Sequence, residues 1–429
     1  MRIEMLCTGE EVLSGQIVDS NGAWVGQRLL EVGLELHSRL TVGDRLMDLT
    51  AAFERSAGVA DLVLINGGLG PTADDLSSTA MAAVMGVELK LNSTWLARIE
   101  QWFANSGREM TSNNRKQAYL PDGAVMIDNP VGTACGFRVC WRGTWFVFTP
   151  GPPHELKTMF NEQLLPWLQK HYVIEAPVEL YRLLTTGSGE SALAQKLNSV
   201  ELPPELELGY RASMPYIEIK LLRRGAIADA RWQQVLQQIR VQLGENWVGD
   251  NVVSVAERCH QLLLAQGKTL TIAESCTGGL VASELVAFPG SSAYLLGSWV
   301  TYSNQAKQQE LAVTATSLSD YGAVSLPVVI EMACGARTKL QSDFGLSISG
   351  IAGPDGGTED KPVGMVCLAL TFNGGHVAQT LQFNGRRLGR NGVRAFATTI
   401  ALDMLRRQLL GESPLAQYDY LTRVESSQG

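Results

Sequence analysis

Strand-like apolar runs alternate with helix-like segments almost from the first residue of this chain, the pattern of parallel α/β units. A strand buried on both faces needs an unbroken apolar run, and a helix must cross back before the next parallel strand can pair. Residues 3–7 read as a strand, 21–32 as an amphipathic helix closed by Gly33, 34–42 as a second strand and 46–57 as a helix. The run 61–66 is a short buried strand that ends in Gly67-Gly68-Leu69-Gly70. A helix over 75–85 and a late strand over 145–149 complete a first α/β domain, residues 1–170. Between 171 and 250 the text becomes strand, polar turn, strand, helix, with strands at 181–186, 207–211 and 217–222 and a helix at 228–243, a small α+β connector. From 251 to 415 the α/β rhythm returns, with a helix over 253–266 before the strand that leads into Ser275. Residues 412–429 are polar, and 416–429 is expected to be a peripheral or frayed tail.

At 429 residues the chain is too long for one core, so two or three domains are expected. Its 45% apolar and 18% charged content describes a soluble globular protein, and the net charge of −8 argues against a surface given over to nucleic acid. The seven cysteines are scattered, without a Cys-x-x-Cys pair or a His cluster at metal-ligand spacing, which fits a reducing cytoplasm. No run of about 18 apolar residues offers a membrane span, and the opening Met1-Arg2-Ile3-Glu4 enters a strand and not a signal peptide.

Ala273-Glu274-Ser275-Cys276-Thr277-Gly278-Gly279 sits between the apolar run 269–272 and a helical stretch, so it reads as a strand-to-helix turn crowded with hydroxyl and thiol groups. Its glycines let backbone approach a ligand, and the helix start aims unpaired N–H groups and a positive dipole end at it. Ser275 is the candidate nucleophile; capping of the helix by Ser275 or Thr277 explains the same residues without chemistry. Further on, a strand over 294–302 runs into Ser303-Asn304-Gln305-Ala306-Lys307, a capped helix start with Lys307 in its first turn, where the dipole disfavours a cation. A partly buried lysine there has a lowered pKa and can act as a general base for a serine; a solvated lysine is the plain alternative. Tyr302 could donate to that pair or pack the strand. The loop from Ser349 and Gly350 through Gly353 to Gly357 offers amides for an oxyanion or phosphate, and Arg387 and Arg394 suit a phosphate by their bidentate geometry.

In order along the chain, the turn 273–279, Gly-Ser-Ser-Ala-Tyr (290–294), Val-Thr-Tyr-Ser-Asn-Gln-Ala-Lys (300–307), Gly-Ala-Val-Ser (322–325), Ser-Gly-Ile-Ala-Gly-Pro-Asp-Gly-Gly (349–357) and Lys-Pro-Val-Gly (361–364) closely resemble the C-terminal domain of the CinA family. The resemblance implies a nicotinamide-nucleotide amidohydrolase that needs no cofactor and converts nicotinamide mononucleotide to nicotinate mononucleotide and ammonia. It implies Ser275 as nucleophile with Tyr302 and Lys307 as partners, and Cys276, Thr277, Gly278 and Gly279 beside the substrate. The family's Gly-Asp-Arg before the last helix is here Gly385-Arg386-Arg387, with the next arginine displaced to Arg394.

Gly67, Gly68, Gly70, Thr72, Asp74 and Asp75 follow a strand and open a helix, where doubly wound sheets bind phosphates. Adjacent carboxylates beside an anion cradle point to a divalent cation, or to plain capping of the helix. Asn129, Gly132 and Thr133, with Gly151, Pro152 and Glu155, supply polar loops that could join them. Together these resemble the CinA N-terminal domain, similar to the molybdopterin-binding fold. That resemblance implies a nucleotide site, ADP-ribose pyrophosphate hydrolysis with a divalent metal ion at Asp75, and a homodimer. A pterin or other nucleotide is the competing ligand, and a non-enzymatic scaffold tied to DNA uptake is the competing role, which the acidic balance disfavours.

Overall fold

The computed structural model describes residues 1–172 and 178–429; residues 173–177 of the expected connector lie outside the described residues. The chain divides into two units, Met1–Leu180 and Tyr181–Gly429. The first carries a six-stranded sheet in the order Leu36–Val42, Ile3–Thr8, Leu62–Asn66, Thr144–Thr149, Gly136–Trp141, Val125–Ile127. Its first four strands are parallel and the last two antiparallel. Successive side chains on a strand point to opposite faces, so the central strands feed two cores. Leu62 and Leu64 pack with Ile3, Met5, Leu29 and Phe160 on one side, whereas Val63 and Ile65 pack with Phe53, Trp95 and Phe148 on the other. The helix Ser20–Glu31 is started by Asp19, whose carboxylate accepts from the Gly22 N–H at 2.7 Å.

The second unit contains two sheets. The smaller is ordered Leu206–Ser213, Tyr216–Arg224, Val178–Thr186, Trp247–Asp250, and its core joins Leu183, Ile219 and Leu236 with the helices Glu190–Leu197 and Asp229–Leu243. The short strand Trp247–Asp250 adds a fourth member to the three expected from sequence.

The larger sheet runs Leu295–Val300, Leu270–Glu274, Phe344–Gly350, Met365–Phe372, Gly375–Gln382, Thr422–Gln428. Only the first three strands are parallel, so the α/β rhythm describes half of this sheet. The rest is an antiparallel meander, set up by the two-residue Asn373-Gly374 turn that joins Phe372 to Gly375. Residues 416–429 are therefore not a frayed tail. Ala416 and Tyr418 are buried, and Thr422–Gln428 pairs along Gly375–Gln382 as an edge strand, polar because most of it faces solvent. Among the described residues no helix is long and apolar enough to cross a membrane.

Candidate active site

The strand Leu270–Glu274 is buried at every residue, and its last side chain organises the turn that follows. The Glu274 carboxylate accepts from the backbone N–H of Gly279 at 3.0 Å, Val281 at 3.2 Å and Ala282 at 3.1 Å, satisfying amides that the start of the helix Leu280–Val286 would leave unpaired. Gly279 takes φ +94°, a left-handed conformation that a β-carbon would strain. Within the turn the Gly278 N–H donates to the Ser275 carbonyl at 3.1 Å, and the Ser275 N–H donates to Ile348 O at 3.0 Å. Ser275 is thus fixed at the carboxyl end of a central strand, the position where open α/β sheets place ligands.

Lys307 arrives from the neighbouring strand. Ser303 caps the helix Asn304–Leu311 by accepting from the Ala306 N–H at 3.1 Å. One turn in, the Lys307 side chain runs inward with 1% of its surface exposed. Its Nζ donates to Ser275 Oγ at 3.2 Å, to Thr301 O at 2.7 Å and to Tyr302 O at 3.5 Å. Burial lowers its pKa below the ordinary 10.5, because an ammonium away from water loses hydration that a hydroxyl and two carbonyls do not replace. Burial also pushes the adjacent Cys276 thiol up to about 11, which keeps it protonated, and it is Ser275 Oγ that the Lys307 amine touches. The hydroxyls of Thr277 and Thr301 are buried here without a hydrogen-bond partner among the described residues.

Other expected groups take different places. Tyr302 is 62% exposed, and its hydroxyl accepts from Arg390 Nη2 at 3.1 Å and not from the Ser275–Lys307 pair. Arg390 also donates to Gly353 O at 2.7 Å. Arg394 braces the turn by donating to Cys276 O at 3.2 Å and Thr277 O at 2.8 Å. A cleft of this unit, about 1080 Å³, is lined by Arg386 and Arg390 but not by Arg387. Neither Ser275 nor Lys307 is among its lining residues; Arg390 spans from this cleft to Tyr302.

The glycine-rich loop is held by its own motifs. Ser349 Oγ donates to Ala323 O at 2.7 Å, and Lys361 Nζ donates to the carbonyls of Tyr321 and Val324, the latter at 2.8 Å. A β-carbon on Gly350 would lie 2.9 Å from Met365 O, and one on Gly353 would lie 2.6 Å from Val363 Cγ1. Ser349, Gly350 and Gly353 thus shape the loop through packing. Sequence reading missed Glu274, Thr301, Arg386 and Arg390. The signal for Glu274 stood beside the turn, as a carboxylate preceding a helix start.

In the first unit, the loop after Leu62–Asn66 turns at Gly67 and at Gly68, where φ is +69° and the Ser77 hydroxyl fills the place of a β-carbon. Thr72 donates to the Asp75 carboxylate from its N–H at 2.8 Å and its hydroxyl at 2.5 Å. A cleft of about 370 Å³ is lined by Gly68, Gly70, Asp75, Arg115 and Lys116. A second cleft, about 330 Å³, is lined by Trp95, Arg98, Trp102, Asn129, Pro130 and Gly132, so the expected polar loops divide between two hollows. Asn129 donates to Glu155 at 2.7 Å and Thr133 O accepts from Trp95 at 3.0 Å. The Gly151 carbonyl accepts from Asn21 at 2.7 Å, and Pro152 precedes the helix Pro153–Met159. Asp74 is exposed, and the Thr72 hydroxyl beside it lowers its pKa. Burial raises the pKa of Asp44, and the charges of Glu11, Asp74 and Asp75 add to the rise against a backbone hydrogen bond. Among the described residues no three His, Cys, Asp or Glu side chains converge as metal ligands.

Residues 252–409 match the CinA C-terminal domain and residues 4–170 match the probable molybdopterin binding domain. A protein of Shewanella oneidensis named nicotinamide-nucleotide amidohydrolase PncC is 52% identical over 423 residues, 99% of each chain. A CinA-like protein of Shewanella woodyi is 51% identical over the same share of both chains. The crystal structure of a competence/damage inducible protein from Agrobacterium tumefaciens is 38% identical, covering 36% of this chain and 93% of that one, with a TM-score of 0.35. With its two domain matches in order and relatives alike from end to end, the chain belongs to the CinA family.

Proposed function

We propose that this chain is a nicotinamide-nucleotide amidohydrolase that deamidates nicotinamide mononucleotide by Ser275–Lys307 acyl transfer. The observation that carries the reading is the buried Lys307 amine 3.2 Å from Ser275 Oγ, within reach for proton transfer. Neutral Lys307 takes the Ser275 proton as Oγ bonds to the carboxamide carbon. The tetrahedral oxyanion collapses, the C–N bond breaks, and Lys307 returns the proton to the departing ammonia. Water, deprotonated by the same amine, then attacks the ester, releasing nicotinate mononucleotide and restoring the serine. The Gly278 and Gly279 amides already serve Ser275 O and Glu274, and the proposed oxyanion donor of the turn is the Thr277 amide. Each such donor is worth about 3 kcal/mol. Arg386 and Arg390, which line the neighbouring cleft, are the cations proposed for the substrate phosphate. The relative named for the amidohydrolase activity supports the substrate class. Ammonia release from nicotinamide mononucleotide by the full chain, set against Ser275→Ala, tests the reading; equal release by the variant overturns it.

For the first unit, the cleft that joins glycine amides with Arg115 and Lys116 favours an anionic nucleotide, and ADP-ribose cleaved at its pyrophosphate is the proposed reaction. A divalent ion would have to share Asp75 with the substrate's own phosphate oxygens. Release of AMP and ribose 5-phosphate from ADP-ribose, lost on chelation and in Asp75→Asn, is the expected result. No release with any divalent metal would leave the site a binding site for a pterin or another nucleotide.

A further inference from the structure

The four-stranded sheet of the second unit contributes no group to the Ser275–Lys307 pair, yet one end of it holds a wall of the 1080 Å³ cleft. After the helix Gly385–Leu409 the chain returns, buries Tyr418, and then lines the cleft with Asp419, Tyr420, Leu421 and Thr422, in company with Arg386 and Arg390. Three consecutive residues at the end of the strand Val178–Thr186 and just past it pin that segment. The Asp419 N–H donates to Gly187 O at 2.7 Å, Ser188 Oγ donates to the Asp419 carboxylate at 2.5 Å, and Thr186 Oγ1 lies 3.5 Å from the Tyr420 hydroxyl. Behind the segment, Tyr418 donates to Asp403 at 2.9 Å and the Gln417 N–H donates to Glu245 at 3.2 Å. The cleft therefore combines two guanidiniums, suited to a phosphate, with a carboxylate held by Ser188, suited to accept from sugar hydroxyls.

We propose that Asp419–Thr422 is the wall that receives the phosphoribosyl end of the substrate, and that Thr186, Gly187 and Ser188 are its positioning residues. The small sheet thereby sets nucleotide affinity while the chemistry stays at Ser275. The inference rests on the amidohydrolase reading, and its test separates the two. In the full chain, Ser188→Ala should raise KM for nicotinamide mononucleotide about fivefold, and Thr422→Trp, at an exposed position on the wall, about tenfold, each with kcat within about twofold and an unchanged melting temperature. Ser199→Ala, on the same small domain but away from the wall, should keep wild-type constants. KM within twofold of wild type for both variants, or kcat falling in step with melting temperature, would overturn the proposal. Should the wild type release no ammonia, the catalytic reading fails, and binding of nicotinamide mononucleotide to Ser275→Ala, with and without Thr422→Trp, still decides the wall: a Kd weakened about tenfold supports it and an equal Kd overturns it.

Discussion

Two buried cationic regions of the second unit have opposite surroundings. Arg406 and Arg407 flank the fully buried Asp403, with Nε–carboxylate distances of 2.7 and 2.9 Å, and Tyr418 donates to the same carboxylate. Burial alone would raise the Asp403 pKa, but the two guanidiniums outweigh it and hold the carboxyl below its ordinary value. Lys307 is as deeply buried and meets only a hydroxyl and two carbonyls. A buried charge answered by an opposite charge belongs to the architecture. One answered only by neutral acceptors costs stability as a cation and is tolerated where its neutral form does chemistry.

The contrast can be broken by mutation. Ser275→Ala should lower deamidation by at least about 10³-fold and leave the thermal midpoint within a degree or two, since it removes one oxygen from a turn held by Glu274. Lys307→Met should lower kcat by about 10²- to 10⁴-fold while raising the melting temperature, because a buried cation without a counter-charge is replaced by an apolar chain of similar length. The sign follows from the lowered pKa. Between the folded value and the ordinary 10.5 the unfolded chain binds the proton that the folded chain has released, so stability rises with pH through that window, and Lys307→Met removes this slope. Asp403→Asn is the opposite experiment: it should destabilise by about 3–5 kcal/mol, read in denaturant, with kcat per folded molecule retained. Its contribution in the wild type is present above the ordinary carboxyl value of 3.8 and is lost as pH falls through the depressed folded value. Smallest is Glu274→Gln, which keeps the shape of the cap but weakens its acceptors; a loss of about 1 kcal/mol and about tenfold in kcat is expected from a loosened turn.

What the sequence disclosed follows from range. The apolar strand Leu270–Glu274, the glycines after it and the cap at Ser303 are local features, and local features position Ser275 and Lys307 to within a few residues of the turns that hold them. The arginines were not legible for a geometric reason. Gly389, at φ +65° and ψ 174°, interrupts the helix Gly385–Leu409, so the regular helical spacing does not say which of Arg386, Arg387, Arg390 and Arg394 share a face. The contact that the Tyr302 hydroxyl makes was not legible because its partner Arg390 is 88 residues away in sequence. The edge strand Thr422–Gln428 has a composition that solvent alone explains, and only its pairing with Gly375–Gln382 distinguishes it from a tail. At Asp75 the adjacent carboxylates suggested a cation, and the two hydrogen bonds that Thr72 donates to the Asp75 carboxylate were not foreseen.

Deamidation by this pair requires an uncharged Lys307 to draw the proton from Ser275, and the pH dependence of kcat/KM for nicotinamide mononucleotide tests that most directly. The wild type should show an ascending limb with its midpoint below 10.5, and Lys307→Met should retain only a residual rate that lacks this limb. A Lys307→Met variant that keeps both the wild-type rate and the wild-type limb would contradict a general-base role for Lys307.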